Sequence, residues 1–546
     1  MNGESVTEAA AERQPAPGEL KNWLAAQWAE LLGAQPQDDA DFFALGGSSL
    51  QATILTSRIR QAGFPHIGLV DVLEHRSFAR QLTLVASQDG RDRPAPHSPP
   101  TATTTPPGLS HGQRNRLAMA RERLLAGEGG APPLAIQLAV ELLGPVDVPA
   151  LEAAVRDLVV RHVGLRTAFL TADGEIQLRE VPPELLDGPY LTIRDLRHHP
   201  SDTAWSEALA LAQEQVSAPV DFREPPLVST HLTLLSEDRH LFTLTVDHLV
   251  SDATSAGLLW RDLAEFYEAS LENRPPGLPP LRTTAQQVLG AREAQWRAGE
   301  THMLDAWDKA LAGFPYAPQD DLAPVDAAEE FRPPQPAEFT RFTLPAQAAT
   351  DFESACLTTG VTRHTAVMGL VFHALHALDG RQDAVVCSSQ SGRTDVQDDL
   401  VGWLSDSVIV RIGGQDGGLA VSALELVRRT QERLMFAYRN PVPFNVLVQR
   451  YQGTVDGRTP YKPHIYVHHT GDSPVGARFG ATRAQLLDEH ASVTFFPGPS
   501  VQVEQDGDDL SIGVNTAAGR YPDGLANRFG ALLRDAIIQF TAEAAA

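Results

Sequence analysis

Residues 241–266 read LFTLTVDHLVSDATSAGLLWRDLAEF, and the hydrophobic period changes within this stretch. Phe242, Leu244 and Val246 form an apolar face that alternates with Leu241, Thr243 and Thr245, which is the period of a β-strand. From Leu258 to Phe266 the apolar residues recur at the spacing of an amphipathic helix. The residues from Asp247 to Ala253 therefore form a strand-to-helix junction. Side chains at such a junction reach the rim of a cleft while the packed strand holds the backbone still.

Two side chains of this junction are able to act together. Neighbouring side chains of an extended strand point to opposite faces, so Asp247 and His248 do not reach the same atom, whereas Asp252 folds back across the turn. We therefore predict His248 as the acid–base or electrostatic group, with Asp252 in support. A simpler interpretation stays open, because Asp252 before Ala253 is also a typical helix N-cap and His248 is then an ordinary loop histidine.

The composition is that of an ordinary globular protein of 546 residues, 42% hydrophobic and 21% charged. With 69 acidic and 44 basic residues the formal charge is -25, which argues against nucleic acid or an anionic membrane as partner. The two cysteines, Cys356 and Cys387, predict neither a disulfide framework nor a thiolate metal site. The N-terminus lacks a basic start and an apolar core, and no apolar run approaches about eighteen residues. We expect a cytoplasmic protein without a bound metal.

The first part of the chain predicts a small all-α bundle of four helices. Apolar spacing indicates helices from Leu20 to Leu32, after Ser49, over residues 69–73 and from Ser77. The first two helices are separated by DFFALGGSSL, residues 41–50. Its two glycines let the backbone turn tightly into a helix whose first N–H groups stabilise a phosphate, although a loop ending in an N-cap serine is the simpler interpretation.

This run resembles the signature of peptidyl carrier proteins, Asp-x-Phe-Phe-x-Leu-Gly-Gly-x-Ser-Leu. In that family the serine directly before the leucine carries 4′-phosphopantetheine, so the resemblance implies Ser49 as the attachment residue and a phosphopantetheinyl transferase as a partner. We predict a carrier domain over residues 17–87. Residues 88–108 are rich in proline and have no apolar periodicity, which predicts a linker.

The rest of the chain is similar to the condensation domains of nonribosomal peptide synthetases. The second His and the Asp of their two-His motif match His248 and Asp252, while Asp247 stands where the first His is usual and Ala253 where Gly is usual. Further similar segments follow in family order: Leu109-Ser-His-Gly-Gln-Arg, Arg161 to Phe169, Ser391-Gly392-Arg393, Val401 to Ser407 with Asp406 in place of Asn, and Pro443-Phe444. His468 and His469 are adjacent, and we interpret them as strand residues and not as ligands.

The resemblance implies two chloramphenicol-acetyltransferase-like α/β lobes that form a V, with the active site in a tunnel between them. We place the condensation domain at residues 109–546, with an N-lobe at about 109–280 and a C-lobe at about 281–546. In the family the Gly-Arg arginine pairs with the motif aspartate, which implies an ion pair between Arg393 and Asp252.

The function implied is nonribosomal peptide synthesis, as in antibiotic biosynthesis: a carrier-bound acyl or aminoacyl thioester condenses with an amine acceptor to form an amide. His248 then takes the amine proton or stabilises the intermediate, and Asp252 holds the loop. Two alternatives remain open. Asp247, Asp252 and Ser255 also fit the Asp-x4-Asp-x2-Ser pattern of heterocyclisation domains, and a catalytically inactive partner-recruitment domain is the third possibility. The flanking motifs are of the amide-forming kind, which ranks condensation first.

Carrier, linker and condensation lobes together take up the chain. We therefore expect an adenylation enzyme to load the carrier in trans, and the acceptor to be a second carrier or synthetase protein or a free amine.

Overall fold

The structure is a computed structural model that describes residues 15–16, 18–64, 66–87, 108–125, 134–172, 175–186, 190–312, 335–393, 399–413, 417–451, 465–469, 475–476, 478–487, 493–494, 499–506, 509–519 and 521–546. The predicted linker, residues 88–108, lies outside the described residues except for Gly108.

The N-terminal bundle consists of the helices α1 Leu20–Leu32, α2 Ser49–Gln61, α3 Leu69–Glu74 and α4 Phe78–Ala86. Trp28 lies at its centre, where the ring meets Phe42 and Phe78 edge to face with centroids 5.0 and 5.4 Å apart. The indole N–H of Trp28 donates to Gln81 Oε1 at 3.0 Å, so the one polar atom of this ring is satisfied in the core. The predicted all-α bundle is confirmed.

The remaining helices are α5 His111–Leu125, α6 Val148–Arg161, α7 Ser201–Ser217, α8 Ala253–Glu272, α9 Ala285–Ala310, α10 Ala346–Thr359, α11 Arg363–Asp379, α12 Ala423–Arg439, α13 Phe444–Tyr451 and α14 Leu525–Ala545. The strands are β1 Ala135–Leu143, β2 Thr167–Ala172, β3 Glu175–Glu180, β4 Thr192–Asp195, β5 Val228–Leu234, β6 Arg239–Asp247, β7 Gln335–Leu344, β8 Asp383–Gln390, β9 Asp406–Gly413, β10 Ile465–His469, β11 Arg478–Phe479, β12 Thr482–Leu486, β13 Val493–Thr494, β14 Ser500–Asp506 and β15 Asp509–Ala517.

The strands form two large mixed sheets, each the basis of one α/β lobe. The first lobe has a six-stranded sheet in the order β11-β12-β1-β6-β5-β4, and the second lobe a seven-stranded sheet in the order β13-β7-β15-β14-β10-β8-β9. Strands β2 and β3 form a separate hairpin. Two α/β lobes after a helical bundle are the predicted architecture, which is confirmed.

Strand β6 lies inside the first sheet, between β1 and β5, and both pairings are antiparallel. All its residues from 240 to 247 are buried. Full burial of a side chain such as Phe242 or Leu244 contributes roughly 1.5–3 kcal/mol relative to exposure. The strand is therefore a rigid base for the junction that follows it.

One part of the chain joins the lobe to which we did not assign it. Strands β11 and β12 belong by sequence to the predicted C-lobe, yet β12 pairs antiparallel with β1, with Val140 opposite Leu486. The chain thus returns from the second lobe to the edge of the first sheet. Such long-range pairing leaves no local signal in the sequence, because a strand's period does not identify its neighbour.

In the part of the chain that the structure describes, no helix is both long and apolar enough to cross a membrane.

Candidate active site between the lobes

His248 lies where the first lobe meets the second. Strand β6 ends at Asp247, one 3-10 turn covers His248–Val250, and α8 begins at Ala253. We call residues 247–252 the His248 turn. The backbone N–H of His248 donates to Leu134 O at 2.7 Å, and its ring lies 4.4 Å from that of Trp403, which comes from the second lobe.

Burial lowers the pKa of the His248 imidazole below its ordinary value, while the carboxylates of Asp252 and Asp247 act in the opposite direction. The ring is therefore mostly neutral at pH 7. A neutral imidazole accepts a hydrogen bond or a proton, which is what a general base needs.

Asp252 is buried and uses both of its carboxylate oxygens. Its Oδ1 accepts from the backbone N–H of Ser255 at 2.9 Å and from the Ser255 hydroxyl at 2.8 Å, which caps α8. Its Oδ2 accepts from Arg393 Nη1 at 2.7 Å and from the N–H groups of Leu404 and Ser405 at 3.0 Å each. Asp252 therefore both caps helix α8 and forms the ion pair between the lobes.

Burial acts to raise the pKa of Asp252, but Arg393 and the Ser255 hydrogen bonds outweigh it and hold the pKa below its ordinary value. The carboxylate stays ionised, and its geometry is that of a residue that supports the site.

Arg393 fastens the His248 turn to the second lobe. Its side chain is only 2% exposed and donates to Leu400 O at 3.0 Å, to Gly402 O at 3.2 Å and to the Ser255 hydroxyl at 3.1 Å. We call residues 400–406 the bridging segment, because Asp252 and Arg393 both bind its backbone.

Asp247 points into the first lobe. Its carboxylate forms a bidentate ion pair with Arg116 of α5, with Nε 2.8 Å from Oδ1 and Nη2 in contact with Oδ2. Its Oδ1 also accepts from the N–H of Leu249 at 2.7 Å. Both side chains are buried, at 4% exposed for Arg116 and 1% for Asp247. Asp247 therefore holds the turn in place and does not present its carboxylate to a substrate.

Sequence reasoning missed Arg116. The segment compared with the family ended at Arg114, but Arg114 is exposed, and the turn is held by Arg116 together with Gln113, whose Nε2 donates to Leu249 O at 2.7 Å. A signal was present, since residues at i and i+3 of a helix share a face and an inward Asp requires a cationic partner.

His468 is a second histidine beside the site. It lies on β10, as predicted for a strand residue, and its Nδ1 is 3.3 Å from the Ser389 hydroxyl of neighbouring β8. Burial, and to a smaller extent His248, lower the pKa of His468 to about 4. The sequence did not indicate this proximity, because it depends on how β10 pairs with β8.

Ser49 is the first residue of α2, and its side chain lies outside what the structure describes. Its neighbour Ser48 is the N-cap: the Ser48 hydroxyl accepts from Gln51 N at 3.2 Å, and Gln51 Oε1 accepts from Ser48 N at 2.7 Å. A Cβ atom on Gly47 would lie 2.4 Å from Phe42 Cδ1, so only glycine fits this turn into the helix.

Within the described residues, no group of three or more His, Cys, Asp or Glu side chains is placed to hold a metal ion.

Comparison with known families gives two matches along the chain. Residues 134–461, more than half of the chain, match the family model described as Condensation domain. Residues 22–85 match the model described as Phosphopantetheine attachment site.

Similar proteins are large synthetases. Phosphinothricin tripeptide synthetase PhsB of Streptomyces viridochromogenes is 29% identical over 435 residues, which cover 78% of this chain and 35% of that protein. Malpibaldin synthetase of Mortierella alpina is 29% identical over 444 residues, 79% of this chain and 8% of that protein. The chain therefore spans a minor part of the length of these relatives.

Two solved structures share the fold. The X-domain in its complex with OxyB from teicoplanin biosynthesis has a TM-score of 0.64 at 21% identity and covers 83% of this chain and 96% of that chain. The first condensation domain of the calcium-dependent antibiotic synthetase, in complex with a substrate analogue, has a TM-score of 0.61 at 20% identity and covers 80% and 96%. At such identities the likeness concerns the fold alone.

Proposed function

Because this chain belongs to the condensation-domain family and carries a phosphopantetheine-attachment domain, we propose that it joins a carrier-bound acyl thioester to an amine acceptor and so forms an amide in nonribosomal peptide synthesis. The observation that carries the proposal is the half-buried, neutral imidazole of His248 at the junction of the lobes. Asp252, Arg393 and the Asp247–Arg116 pair fix the turn on which it stands.

In the proposed reaction the amine nitrogen attacks the thioester carbonyl carbon. The new C–N bond forms, the C–S bond breaks with its electron pair on sulfur, and the N–H proton passes to His248, which returns it to the leaving thiolate. A thioester is already activated, so alignment of the two reactants supplies a large share of the rate enhancement. A positioned general base typically adds about 10²–10⁴-fold.

Ser49 is the proposed attachment residue. It opens the 13-residue helix α2 beside the N-cap Ser48, so the positive end of the helix dipole lies next to it. Gly47 lies against Phe42, where a Cβ would clash, and so lets the backbone turn tightly into this helix start. These features fit 4′-phosphopantetheine, which when attached supplies the thiol that carries the acyl group.

Heterocyclisation is less well supported by the contacts of its three signature residues. Asp247 is paired with Arg116, Asp252 with Arg393, and the Ser255 hydroxyl is 2.8 Å from Asp252 Oδ1. None of the three presents an uncommitted group to a substrate. The likeness to the X-domain concerns the fold alone, so it does not support the alternative of a catalytically inactive recruitment domain.

The proposed partners follow from this function. A phosphopantetheinyl transferase attaches the arm, an adenylation enzyme loads it in trans, and a second carrier or synthetase protein, or a free amine, is the acceptor. The cytoplasmic location stays a prediction from the sequence.

The test begins with the mass of the intact chain after treatment with coenzyme A and a transferase. We expect one added arm on the wild type and on Ser48→Ala, and none on Ser49→Ala. An arm that persists in Ser49→Ala contradicts the assignment of the serine.

The acyl-loaded chain is then offered amine acceptors, and the products are measured by mass spectrometry. We expect an amide without loss of a second water, formed about 10²-fold or more slowly by His248→Ala because the base is lost. His198→Ala, which removes an exposed histidine of the first lobe, is the control and should leave the rate unchanged. Transfer at the wild-type rate by His248→Ala would overturn the role of this residue, and loss of a second water with Cys, Ser or Thr acceptors would favour heterocyclisation.

A further inference from the structure

The Asp406 carboxylate follows directly after the residues that bind Asp252. It opens β9, one residue beyond Ser405, whose N–H donates to Asp252 Oδ2. Trp403, three residues earlier, lies against the His248 ring. Asp406 therefore stands on the same bridging segment as the wall of the proposed active site.

One oxygen of Asp406 is used by the backbone and the other is not. Its Oδ1 accepts from the N–H of Ser407 at 2.8 Å and from the N–H of Phe444, the first residue of α13, at 3.3 Å. No hydrogen bond to Oδ2 is made by any residue of the described ranges, and the side chain is exposed to solvent. The residue thus presents an anionic acceptor to open space.

Three elements pack around this carboxylate and contribute the groups that face it. Helix α9 contributes Arg292, whose guanidinium donates to Leu404 O at 2.7 Å and to Gly392 O. Strand β8 contributes the thiol of Cys387, whose pKa burial raises to about 12. Helix α13 contributes the N–H of Phe444. Arg292 is therefore the cation that faces Asp406 from these elements, and its guanidinium is engaged with two carbonyl groups.

We propose that Asp406 binds an ammonium group of the amine acceptor. This inference rests on the proposed function, because the reaction requires an amine to enter the site. Amines with an ordinary pKa near 8 arrive mostly as ammonium ions at pH 7. An ionised carboxylate is an acceptor only, so the complementary ligand group is a cationic donor.

The protonation of Asp406 agrees with this role. The surrounding protein removes part of the water that would stabilise the ionised carboxylate, and this desolvation raises the pKa of Asp406 to about 6, although the N–H groups of Ser407 and Phe444 and the Arg292 cation act in the opposite direction. The group is ionised at pH 7 and becomes neutral below pH 6. Binding of an ammonium ion should therefore weaken as the pH falls from 7 to 5, by about tenfold because roughly nine-tenths of the carboxylate is then protonated.

A simpler interpretation is that Asp406 only caps the start of α13 and its own strand. Asparagine would serve this purpose equally, because its amide oxygen accepts the same two N–H groups. Asp406→Asn therefore separates the two interpretations: it keeps the cap and removes the charge. A carboxylate whose pKa is raised in the folded state destabilises the fold at pH values above its unfolded-state pKa, because folding then disfavours its ionised form. Asp406→Asn removes this cost, so at pH 7 the variant should unfold at the wild-type temperature or above.

The experiment measures KM for three acceptors with the acyl-loaded chain at pH 7: the monoamine glycine methyl ester, the diamine 1,4-diaminobutane, and aniline, which is uncharged at this pH. We expect Asp406→Asn to raise KM about tenfold for charged amines, to leave kcat within about twofold, and to leave aniline unaffected. A rise for both charged amines identifies the ammonium as the attacking amine itself, and a rise for the diamine alone identifies it as a second cationic group. An unchanged KM for both overturns the proposal. Asp305→Asn, an exposed carboxylate on α9, is the matched control.

A binding measurement keeps this test independent of the proposed function. Calorimetric titration of the unloaded chain with 1,4-diaminobutane should show binding to the wild type that weakens from pH 7 to pH 5, and about tenfold weaker binding to Asp406→Asn at pH 7. Equal binding by both proteins overturns the inference. If no amine yields an amide with the wild type, the proposed function fails, and the titration still decides the role of Asp406.

Discussion

Asp247 and Arg116 form a bidentate ion pair with almost no access to water, at 1% and 4% exposed. Two charges in such a place cost several kcal/mol each in desolvation, which their attraction offsets only while both are present. Asp247 gains further from the Leu249 N–H. The pair therefore fixes the position of the neighbouring His248. Because neither charge is stable here alone, the stability of the fold depends strongly on each of the two residues.

We predict that Arg116→Leu lowers the free energy of unfolding by about 3–5 kcal/mol, because it leaves the Asp247 carboxylate buried and unpaired. Urea unfolding followed by circular dichroism measures this loss. Arg114→Leu, two residues earlier and exposed, is the matched control and should change stability by less than about 0.5 kcal/mol. Equal effects of the two variants would contradict the role assigned to the pair.

At the scale of elements, the His248 turn and the bridging segment are held by one buried network. Asp252 accepts five hydrogen bonds, from Arg393, from both donors of Ser255 and from the N–H groups of Leu404 and Ser405. The network connects the N-terminus of α8 with the segment that leads into β9. It therefore fixes the His248 turn of the first lobe relative to the bridging segment of the second lobe.

We predict that Asp252→Ala and Arg393→Ala each destabilise the domain by about 3–5 kcal/mol, since each leaves a buried charge without its partner. The double variant should cost clearly less than the sum, because the second change removes the unpaired charge. Chemical unfolding of all four proteins gives the coupling energy. Asp399→Ala, which removes a half-exposed carboxylate paired with Arg261, is the control and should cost less than about 1 kcal/mol. Strictly additive effects of Asp252→Ala and Arg393→Ala would contradict the network.

Local signals in the sequence were sufficient for some elements and not for others. The change of hydrophobic period at residues 241–266 predicted β6, the turn and α8, because each period depends only on residues that are close together in the sequence. The contact of His468 with β8 and the return of β12 to β1 could not be predicted, since each depends on which distant strands pair. For Arg116 the local signal was sufficient only in part. The sequence indicated the face of α5 on which it lies, but only the structure shows that its partner is Asp247.

At the scale of the whole molecule, the carrier bundle rests on the second lobe through the end of α3. Glu74 forms an ion pair with Arg439, the last residue of α12, and both side chains are about half exposed. Arg76 lies close to Gly360, where α10 ends, with a Cβ built on this glycine 3.4 Å from Arg76 Nη1. A cation beside the C-terminal end of a helix is favoured by the helix dipole.

Exposed ion pairs contribute only about 0–1 kcal/mol and are screened by salt. Buried apolar side chains of the bundle and of the second lobe also form one continuous cluster, so the ion pair is one part of the contact and the part that salt weakens. We therefore predict that Arg439→Glu, which sets two like charges against each other, weakens the docking and releases a fraction of the bundles at low salt, whereas the wild type stays docked at low salt and loosens as the salt concentration rises. Small-angle scattering should record the release as an increase in the radius of gyration. The exchanged pair Glu74→Arg with Arg439→Glu restores the attraction and should return the radius to the wild-type value, and a radius that is the same in all three proteins would contradict docking through this ion pair.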